Sequence, residues 1–166
     1  MDQPDTRKSL PTGTVRTQQG PVWGFLMHRI INPVMRLGLS GRFHSRIGSD
    51  TIMTLTFQGR RSGTTYSFPI GYMQEDDTLI CYSPFGWWHN LRGGAPVTVL
   101  LRGQILHGVA DVCTDTAEVA EGLAVYLRHN PGDAKFFHVA LDENREPNLE
   151  YVARAAANNV QIRIKL

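Results

Sequence analysis

The segment Gly59-Arg60-Arg61-Ser62-Gly63-Thr64 combines the residue types that bind an anion. Each arginine guanidinium is a planar group of donors that matches the oxygens of a phosphate or a carboxylate. The two glycines allow a tight turn that directs successive backbone N–H groups inward, and the hydroxyl groups add further donors. These features predict an anion-binding turn, although an ordinary hairpin turn of small and charged residues has a similar sequence.

A second candidate segment runs from Ser83 to Arg92 and contains the sequence Trp87-Trp88-His89-Asn90. A short helix around Asn90 would direct its N-terminal N–H groups outward, where they can hold an anion. The paired tryptophans are typical of core packing, and one of them could instead contact an aromatic ligand. His89 and Ser83 are candidate proton donors, although a histidine more often forms structural hydrogen bonds.

The elements that position these segments are mainly strands. Apolar residues occupy alternate positions in 51–58 and in 66–72, a pattern that predicts two half-buried strands. Further strands are predicted at 78–83, 96–101 and 104–113, joined into a five-strand meander by turns that include Asp76-Asp77 and Arg102-Gly103. The alternating tail 160–166 predicts a sixth strand that closes a barrel against earlier strands.

Helical patterns flank the strands. Asp115 and Glu118 resemble a capping box that opens a helix ending at Asn130, and a second helix is predicted to start at Pro147 with Leu149 on its apolar face. The N-terminal part has an apolar stripe from Trp23 to Met35, interrupted by Pro33, which predicts two short helices. We therefore expect a polar tail at 1–20, an amphipathic helical segment at 21–40 and one barrel domain at 41–166.

Composition limits the possible partners. The 166 residues fit one domain, and 17 basic against 15 acidic side chains give a net charge of 17 − 15 = +2, which does not favour nucleic acid. No stretch approaches the roughly 18 apolar residues of a membrane span, and the spacing of Cys81 and Cys113 predicts neither a disulfide framework nor a metal site. We expect a cytoplasmic protein whose segment 21–40 packs on the barrel, forms a homodimer interface or contacts a membrane surface.

The two candidate segments together resemble a known family. The turn at Gly59, Pro69 in the next strand, and Trp87-Trp88-His89-Asn90-Leu91 before Gly93-Gly94-Ala95-Pro96 are similar to the split-barrel deazaflavin-dependent nitroreductases and quinone reductases. The resemblance covers about residues 46–113. It implies an α+β split β-barrel of about six antiparallel strands that binds the 8-hydroxy-5-deazaflavin coenzyme F-420 in a groove.

The resemblance also implies the residues of the site. The basic turn would hold the acidic tail of the coenzyme, and the ring would lie along the next strand and the second segment. The implied cofactor-binding residues are Arg60, Arg61, Ser62, Gly63, Pro69, Ser83, Pro84 and Asn90.

The function expected from this resemblance is hydride transfer from reduced deazaflavin to a quinone or nitroaromatic acceptor. A flat acceptor must approach the ring closely, so aromatic side chains should border the groove. The candidates for this lining are Tyr72, Trp87, Trp88, Phe136 and Phe137. Two alternatives stay open: a split-barrel reductase that uses FMN, and a non-catalytic carrier of a flavin, haem or fatty acyl ligand.

Overall fold

The computed structural model describes residues 50–166. The predicted tail 1–20 and the helical segment 21–40 lie outside the described residues. The described chain forms strands β1 (Ile52–Gln58), β2 (Thr65–Gly71), β3 (Met73–Glu75), β4 (Thr78–Ser83), β5 (Ala95–Leu101), β6 (Gln104–Cys113) and β7 (Val160–Lys165). It also forms helices α1 (Thr116–His129) and α2 (Leu149–Ala156), and short 3-10 helices at Gly86–Asn90 and Pro131–Phe136.

All seven strands belong to one antiparallel sheet with the order β2-β1-β5-β6-β7-β4-β3. The two edge strands, β2 and β3, are consecutive in the chain and are separated only by Tyr72. The sheet therefore curls until its edges approach each other, although β2 and β3 are not hydrogen-bonded neighbours. This half-barrel with flanking helices is the predicted split-barrel α+β fold.

Two hydrophobic cores lie on opposite sides of the curled sheet. The inner core takes the alternate side chains of β1, β5 and β7, such as Leu55, Val99 and Ile162, all of which are fully buried. The second core lies between β3 and β4 and the two helices, where Ile80 and Tyr82 pack against residues of α1 and α2. Strand β4 is buried on both faces because it belongs to both cores.

The strand topology differs from the predicted meander. In the predicted meander β4 would pair with β5, but in the structure it pairs with β3 and β7. The 3-10 helix and the loop after β4 lead the chain to a distant position in the sheet, where β5 lies between β1 and β6. The sequence predicts six strands. Strand β3 is the additional one, and it was not predicted because it has only three residues. The prediction that the C-terminal strand closes the barrel is confirmed, since β7 lies between β6 and β4.

Barrel closure depends on a close approach between β6 and the end of β7. A Cβ at Gly108 would lie 2.6 Å from the carbonyl oxygen of Lys165, closer than two such atoms can pack. Only glycine lets the two backbones approach to this distance. The tight turn at Arg102-Gly103 has φ values of +49° and +81°, as the predicted two-residue hairpin between β5 and β6 requires.

The helices begin where side chains cap their N-termini. The Asp115 side chain accepts hydrogen bonds from the N–H groups of Ala117 and Glu118, which confirms the predicted start of α1. Helix α2 is capped by Asn148, and Leu149 is 66% exposed, so the prediction that it lies on the apolar face is wrong. No helix within 50–166 is long and apolar enough to cross a membrane.

We expect Ile162→Ala to lower the free energy of unfolding by about 2–5 kcal/mol, because it opens a cavity in the strand that closes the barrel. Ile162 is fully buried and pairs with Cys81 and Val112 on its two sides. Urea unfolding followed by fluorescence measures the change. Leu149→Ala, at an exposed position, is the control and should change stability by about 0.5 kcal/mol or less. Equal losses in the two variants would contradict this account of the core.

Candidate functional site

A cavity of about 600 Å³ lies beside the turn between β1 and β2. The turn provides one wall, Tyr66 at the start of β2 provides another, and the end of the first 3-10 helix provides the third. None of the lining residues is acidic. The lining consists of Gly59, Arg60, Arg61, Ser62, Tyr66, His89 and Asn90.

The turn is held in shape by its own backbone. The Gly59 N–H donates to the carbonyl of Thr64, and the Gly63 N–H donates to the carbonyl of Gly59, each at 2.8 Å. Gly63 has a φ of +64°, a left-handed conformation that disfavours other residues. Among the hydrogen bonds between described residues, the backbone N–H groups of Arg61 and Ser62 have no acceptor. They are available to a bound anion.

Asn90 joins the turn to the 3-10 helix. Its Oδ1 accepts a hydrogen bond from the backbone N–H of Arg60 at 3.0 Å, and its Nδ2 donates to the carbonyl of Trp87 at 2.8 Å. One side chain thus uses both ends of its amide to hold two segments that are 30 residues apart in sequence. We call this connection the Asn90 bridge. Asn90 was predicted as a ligand contact. It lines the cavity, and its amide forms these two hydrogen bonds that shape the cavity wall.

The two arginines of the turn have different surroundings. Nη2 of Arg60 donates to the carbonyl of Arg92, so this side chain is held against the loop that follows the 3-10 helix. That loop is itself anchored, because the Gly93 N–H donates to the Asp111 carboxylate at 3.1 Å. Within 50–166, the guanidinium of Arg61 forms no hydrogen bond or ion pair. Arg61 therefore has the free cationic group of the cavity.

An aromatic stack supports the wall formed by Tyr66. The ring centroid of Phe57 lies 5.5 Å from that of Tyr66 and 5.5 Å from that of Trp87, both in stacked geometry. Trp87 also meets Phe68 edge to face at 4.8 Å. Trp87 is thus part of the inner core, and Tyr66 is the ring of this stack that reaches the cavity. A flat ligand can contact it with little rearrangement.

His89 lies on the opposite wall and is exposed. Its ring stacks on Trp88 with 3.7 Å between the ring centroids, and the Arg92 guanidinium lies 4.7 Å from the Trp88 centroid. Trp88 does not line the cavity itself, and it positions His89 by stacking. Of the two predicted proton donors, His89 therefore reaches the cavity.

Other predicted cofactor contacts lie elsewhere. Ser83 is buried, and its hydroxyl accepts a hydrogen bond from the Phe85 N–H at 3.2 Å, so it holds a local turn before the 3-10 helix. Pro84 is exposed outside the cavity lining. Pro69 is exposed on the outer face of β2, where an edge strand tolerates a residue without an N–H.

The predicted aromatic lining is not assembled around one cavity. Tyr72 is buried at the other end of β1, since its N–H bonds the carbonyl of Thr51 at the start of that strand. Burial is the main cause that raises the pKa of its hydroxyl. Phe136 is 70% exposed, and Phe137 packs on Tyr82 and Tyr126 in the second core. The sheet separates Phe137 from the residues of the inner core, and Phe136 belongs to neither core.

Two cavity residues were not predicted. Gly59 was considered only for its turn conformation, yet a Cβ there would lie 2.9 Å from the Tyr66 ring and 2.8 Å from the Ser62 hydroxyl. Tyr66 was assigned to the strand pattern alone. Its position seven residues after Gly59, where β2 begins opposite the end of β1, is the signal that could have placed it beside the turn.

A second cavity of about 500 Å³ has the opposite charge. It lies between α1 and the β3–β4 hairpin, and its lining contains five carboxylates and one arginine. A phosphate or carboxylate ligand is repelled by such a lining, so the cavity at the arginine turn is the better candidate for an acidic ligand.

No family model matches the chain, and no curated protein matches it significantly. Among solved structures, it is similar to a protein of unknown function from Agrobacterium tumefaciens, with 17% identity, a TM-score of 0.49, and coverage of 70% of this chain and 48% of that chain. An F420-H2 dependent reductase has 15% identity and a TM-score of 0.46, with 69% of this chain and 94% of that chain covered. The FAD and heme binding protein from Mycobacterium smegmatis has 20% identity and a TM-score of 0.44, with 75% and 64% covered.

These similarities do not assign the chain to a family, because the three identities are at most 20% and the three TM-scores are below 0.5. The chain also spans only about half of the length of the Agrobacterium protein. The ligands of those proteins are therefore not assigned to this chain. The assignment of a function to this chain has to come from its own cavity.

We expect Asn90→Ala to remove the Asn90 bridge and lower the free energy of unfolding by about 1–3 kcal/mol, because the Arg60 N–H and the Trp87 carbonyl lose their partner. Thermal or urea unfolding measures the loss. Asn144→Ala, at an exposed loop position, is the matched control and should change stability by about 0.5 kcal/mol or less. Equal stabilities of the Asn90→Ala variant and the unmodified protein would show that the bridge does not hold the cavity wall.

Proposed function

We propose that this chain is an oxidoreductase that binds a flavin-type coenzyme, deazaflavin F-420, by an acidic group at Arg61 and supports hydride transfer to a quinone or nitroaromatic acceptor. The observation that carries the proposal is the free Arg61 guanidinium beside two unused backbone N–H groups and a flat aromatic wall. An acidic group and a flat ring are the two chemical parts of such a coenzyme.

The residues fit this class of ligand. Arg61 and the N–H groups of Arg61 and Ser62 would hold the acidic group, and the Tyr66 ring would contact the planar part. The cavity volume of about 600 Å³ is within the range of small-molecule sites. When bound, a reduced coenzyme of this class supplies the hydride.

The chain itself supplies binding, orientation and a proton. The Asn90 bridge and the bond from Arg60 to Arg92 hold the turn before any ligand arrives, which reduces the entropy lost on binding. His89, positioned by Trp88, is the side chain in the lining that we assign as the proton donor. No carboxylate in the lining competes for the arginine.

The single free guanidinium favours FMN as a second candidate. The tail of F-420 carries several negative charges, whereas FMN has one phosphate, and Arg60 is already engaged by the Arg92 carbonyl. One cation and two N–H groups are sufficient for one phosphate. Binding measurements with both coenzymes therefore distinguish the two candidates.

We expect Arg61→Ala to weaken coenzyme binding by about ten to a hundredfold, equivalent to roughly 1.5–3 kcal/mol, because a charged hydrogen bond is lost. Isothermal titration with F-420 and separately with FMN measures this. Arg60→Ala should weaken binding less and lower thermal stability, since Arg60 holds the loop. Arg61→Lys should give an intermediate affinity, because the charge remains without the planar group.

Arg145→Ala, at an exposed loop position outside the cavity lining, is the control and should leave affinity unchanged. Binding to the unmodified protein should also weaken as salt rises, because the contact is ionic. Failure of both F-420 and FMN to bind the unmodified protein would contradict the proposal, as would equal affinities for Arg61→Ala and Arg145→Ala.

Turnover distinguishes a reductase from a carrier. We expect the protein to oxidise reduced F-420, or reduced FMN, in the presence of a panel of quinones and nitroaromatics faster than a protein-free control. Trp88→Ala should slow this reaction about ten-fold or more, because His89 loses the ring that positions it. Tyr151→Ala, a partly exposed aromatic on α2, is the matched control and should leave the rate unchanged. Tight binding without turnover across the panel would support the carrier alternative.

A further inference from the structure

Residues 92–94, which we call the Gly93 loop, connect the first 3-10 helix to β5 and lie between β6 and the arginine turn. A Cβ at Gly94 would lie 3.7 Å from Cγ1 of Val109 on β6, and a Cβ at Gly93 would lie 3.9 Å from Nη2 of Arg60. Both distances are those of ordinary contact. The loop therefore touches β6 on one side and the side chain of Arg60 on the other.

The carboxylate of Asp111 holds the Gly93 loop against β6. Its Oδ1 accepts hydrogen bonds from the Gly93 N–H at 3.1 Å and from the Val112 N–H at 2.8 Å. The bond to Val112 is local and orients the carboxylate, and the bond to Gly93 fixes the loop. Gly93 and Gly94 have φ values of +74° and +83°. Two consecutive glycines give a backbone with many accessible conformations, and the hydrogen bond to Asp111 selects one of them.

The Arg92-Gly93 peptide group has a partner at each end. Its N–H donates to Asp111, and its C=O accepts the hydrogen bond from Nη2 of Arg60. Because a peptide group is planar and trans, its N–H and C=O point in opposite directions. The bond to Asp111 therefore orients the carbonyl toward Arg60.

We propose that Asp111 is a positioning residue that determines which arginine of the turn binds the anionic ligand, an inference that rests on the proposed function of the cavity. With Asp111 in place, the Arg92 carbonyl occupies the guanidinium of Arg60, and Arg61 is left for the ligand. Without Asp111, the peptide group can rotate about the glycine dihedral angles, and Arg60 is released. The cavity would then offer two guanidinium groups, which suits a ligand with several negative charges better than one with a single phosphate.

The first test measures the cost of Arg60→Ala to coenzyme binding in two backgrounds, by isothermal titration with F-420 and separately with FMN. In the unmodified protein this substitution should weaken binding by less than about three-fold, because Arg60 does not contact the ligand. In the Asp111→Ala background it should weaken F-420 binding by about ten-fold or more, because a charged contact is then lost. Asp111→Ala alone should raise the affinity for F-420 relative to FMN.

Asp111→Asn separates the position of this side chain from its charge. Asparagine keeps an acceptor oxygen for the Gly93 N–H, so this variant should bind both coenzymes as the unmodified protein does. Asp142→Ala is the matched control. Asp142 is also an exposed aspartate whose Oδ1 accepts two backbone N–H groups, those of Asn144 and Glu146, but it lies outside the cavity lining. It should leave the relative affinity for the two coenzymes unchanged.

The second test needs no ligand and uses urea unfolding of the single and double variants. Asp111→Ala and Arg60→Ala should each raise the unfolding equilibrium constant about ten-fold, and the double variant should raise it by much less than a hundred-fold. The two effects overlap because both substitutions remove a bond to the same peptide group. The effects of Asp142→Ala and Arg60→Ala should multiply, because these residues share no partner.

Three results would overturn the inference. The first is multiplication of the effects of Asp111→Ala and Arg60→Ala on the unfolding constant. The second is an equal cost of Arg60→Ala to coenzyme binding in both backgrounds. The third is a change in coenzyme preference that Asp111→Asn causes as strongly as Asp111→Ala, since the charge of Asp111 would then act instead of its position. Absence of binding of either coenzyme to the unmodified protein would contradict the proposed function, and the unfolding measurements would then decide the positioning of Arg60 by themselves.

Discussion

The fold and the cavity depend on the hydrogen bonds of the C-terminal strand. Strand β7 pairs along its whole length with β4 on one side, and from Gln161 to Lys165 with β6 on the other. Without it, no strand pairing within residues 50–166 connects the four strands β2-β1-β5-β6 to the hairpin β3–β4. Because the 3-10 helix directly follows β4 and the arginine turn belongs to β1 and β2, β7 also sets the distance between the two sides of the cavity.

Local features of the fold could be predicted from the sequence, and its long-range pairings could not. The alternation in β1, the Arg102-Gly103 hairpin and the Asp115 cap depend on neighbouring residues, and the structure confirms all three. The predicted meander is wrong because the sequence of five consecutive strands does not show which of them pairs with a strand that is distant in the chain. In the structure β4 pairs with β7 in this way. The prediction for Leu149 is wrong for a related reason. Helical periodicity identifies an apolar position, but it does not show whether the first turn of the helix reaches the core.

The candidate site shows the same division. That the turn forms, with two arginines and the left-handed Gly63, could be predicted, because guanidinium groups and glycines act through local chemistry. Its anion binding stays a prediction. Which arginine is free could not be predicted, because it depends on the carbonyl of Arg92, which is 32 residues away from Arg60. Long-range pairing also determines which tyrosine reaches the cavity. Tyr66 and Tyr72 belong to the same alternating sequence pattern, but Tyr66 lies beside the end of β1 and Tyr72 beside its start. A two-residue alternation assigns a side chain to a face of the sheet and gives no information about which end carries a ligand.

The two ends of the barrel have similar sequences and different electrostatics. Each has a hairpin turn with arginine and glycine, but at the β5–β6 turn the Arg102 guanidinium lies 3.3 Å from the Asp50 carboxylate and close to Gln74. That arginine is neutralised by its own chain, whereas no carboxylate of the described chain approaches Arg61. An anionic ligand at Arg102 would have to displace Asp50, while at Arg61 it would only displace water. We therefore expect an anionic ligand to prefer the β1–β2 end, where the Tyr66 ring adds a flat apolar contact that a small inorganic anion cannot use.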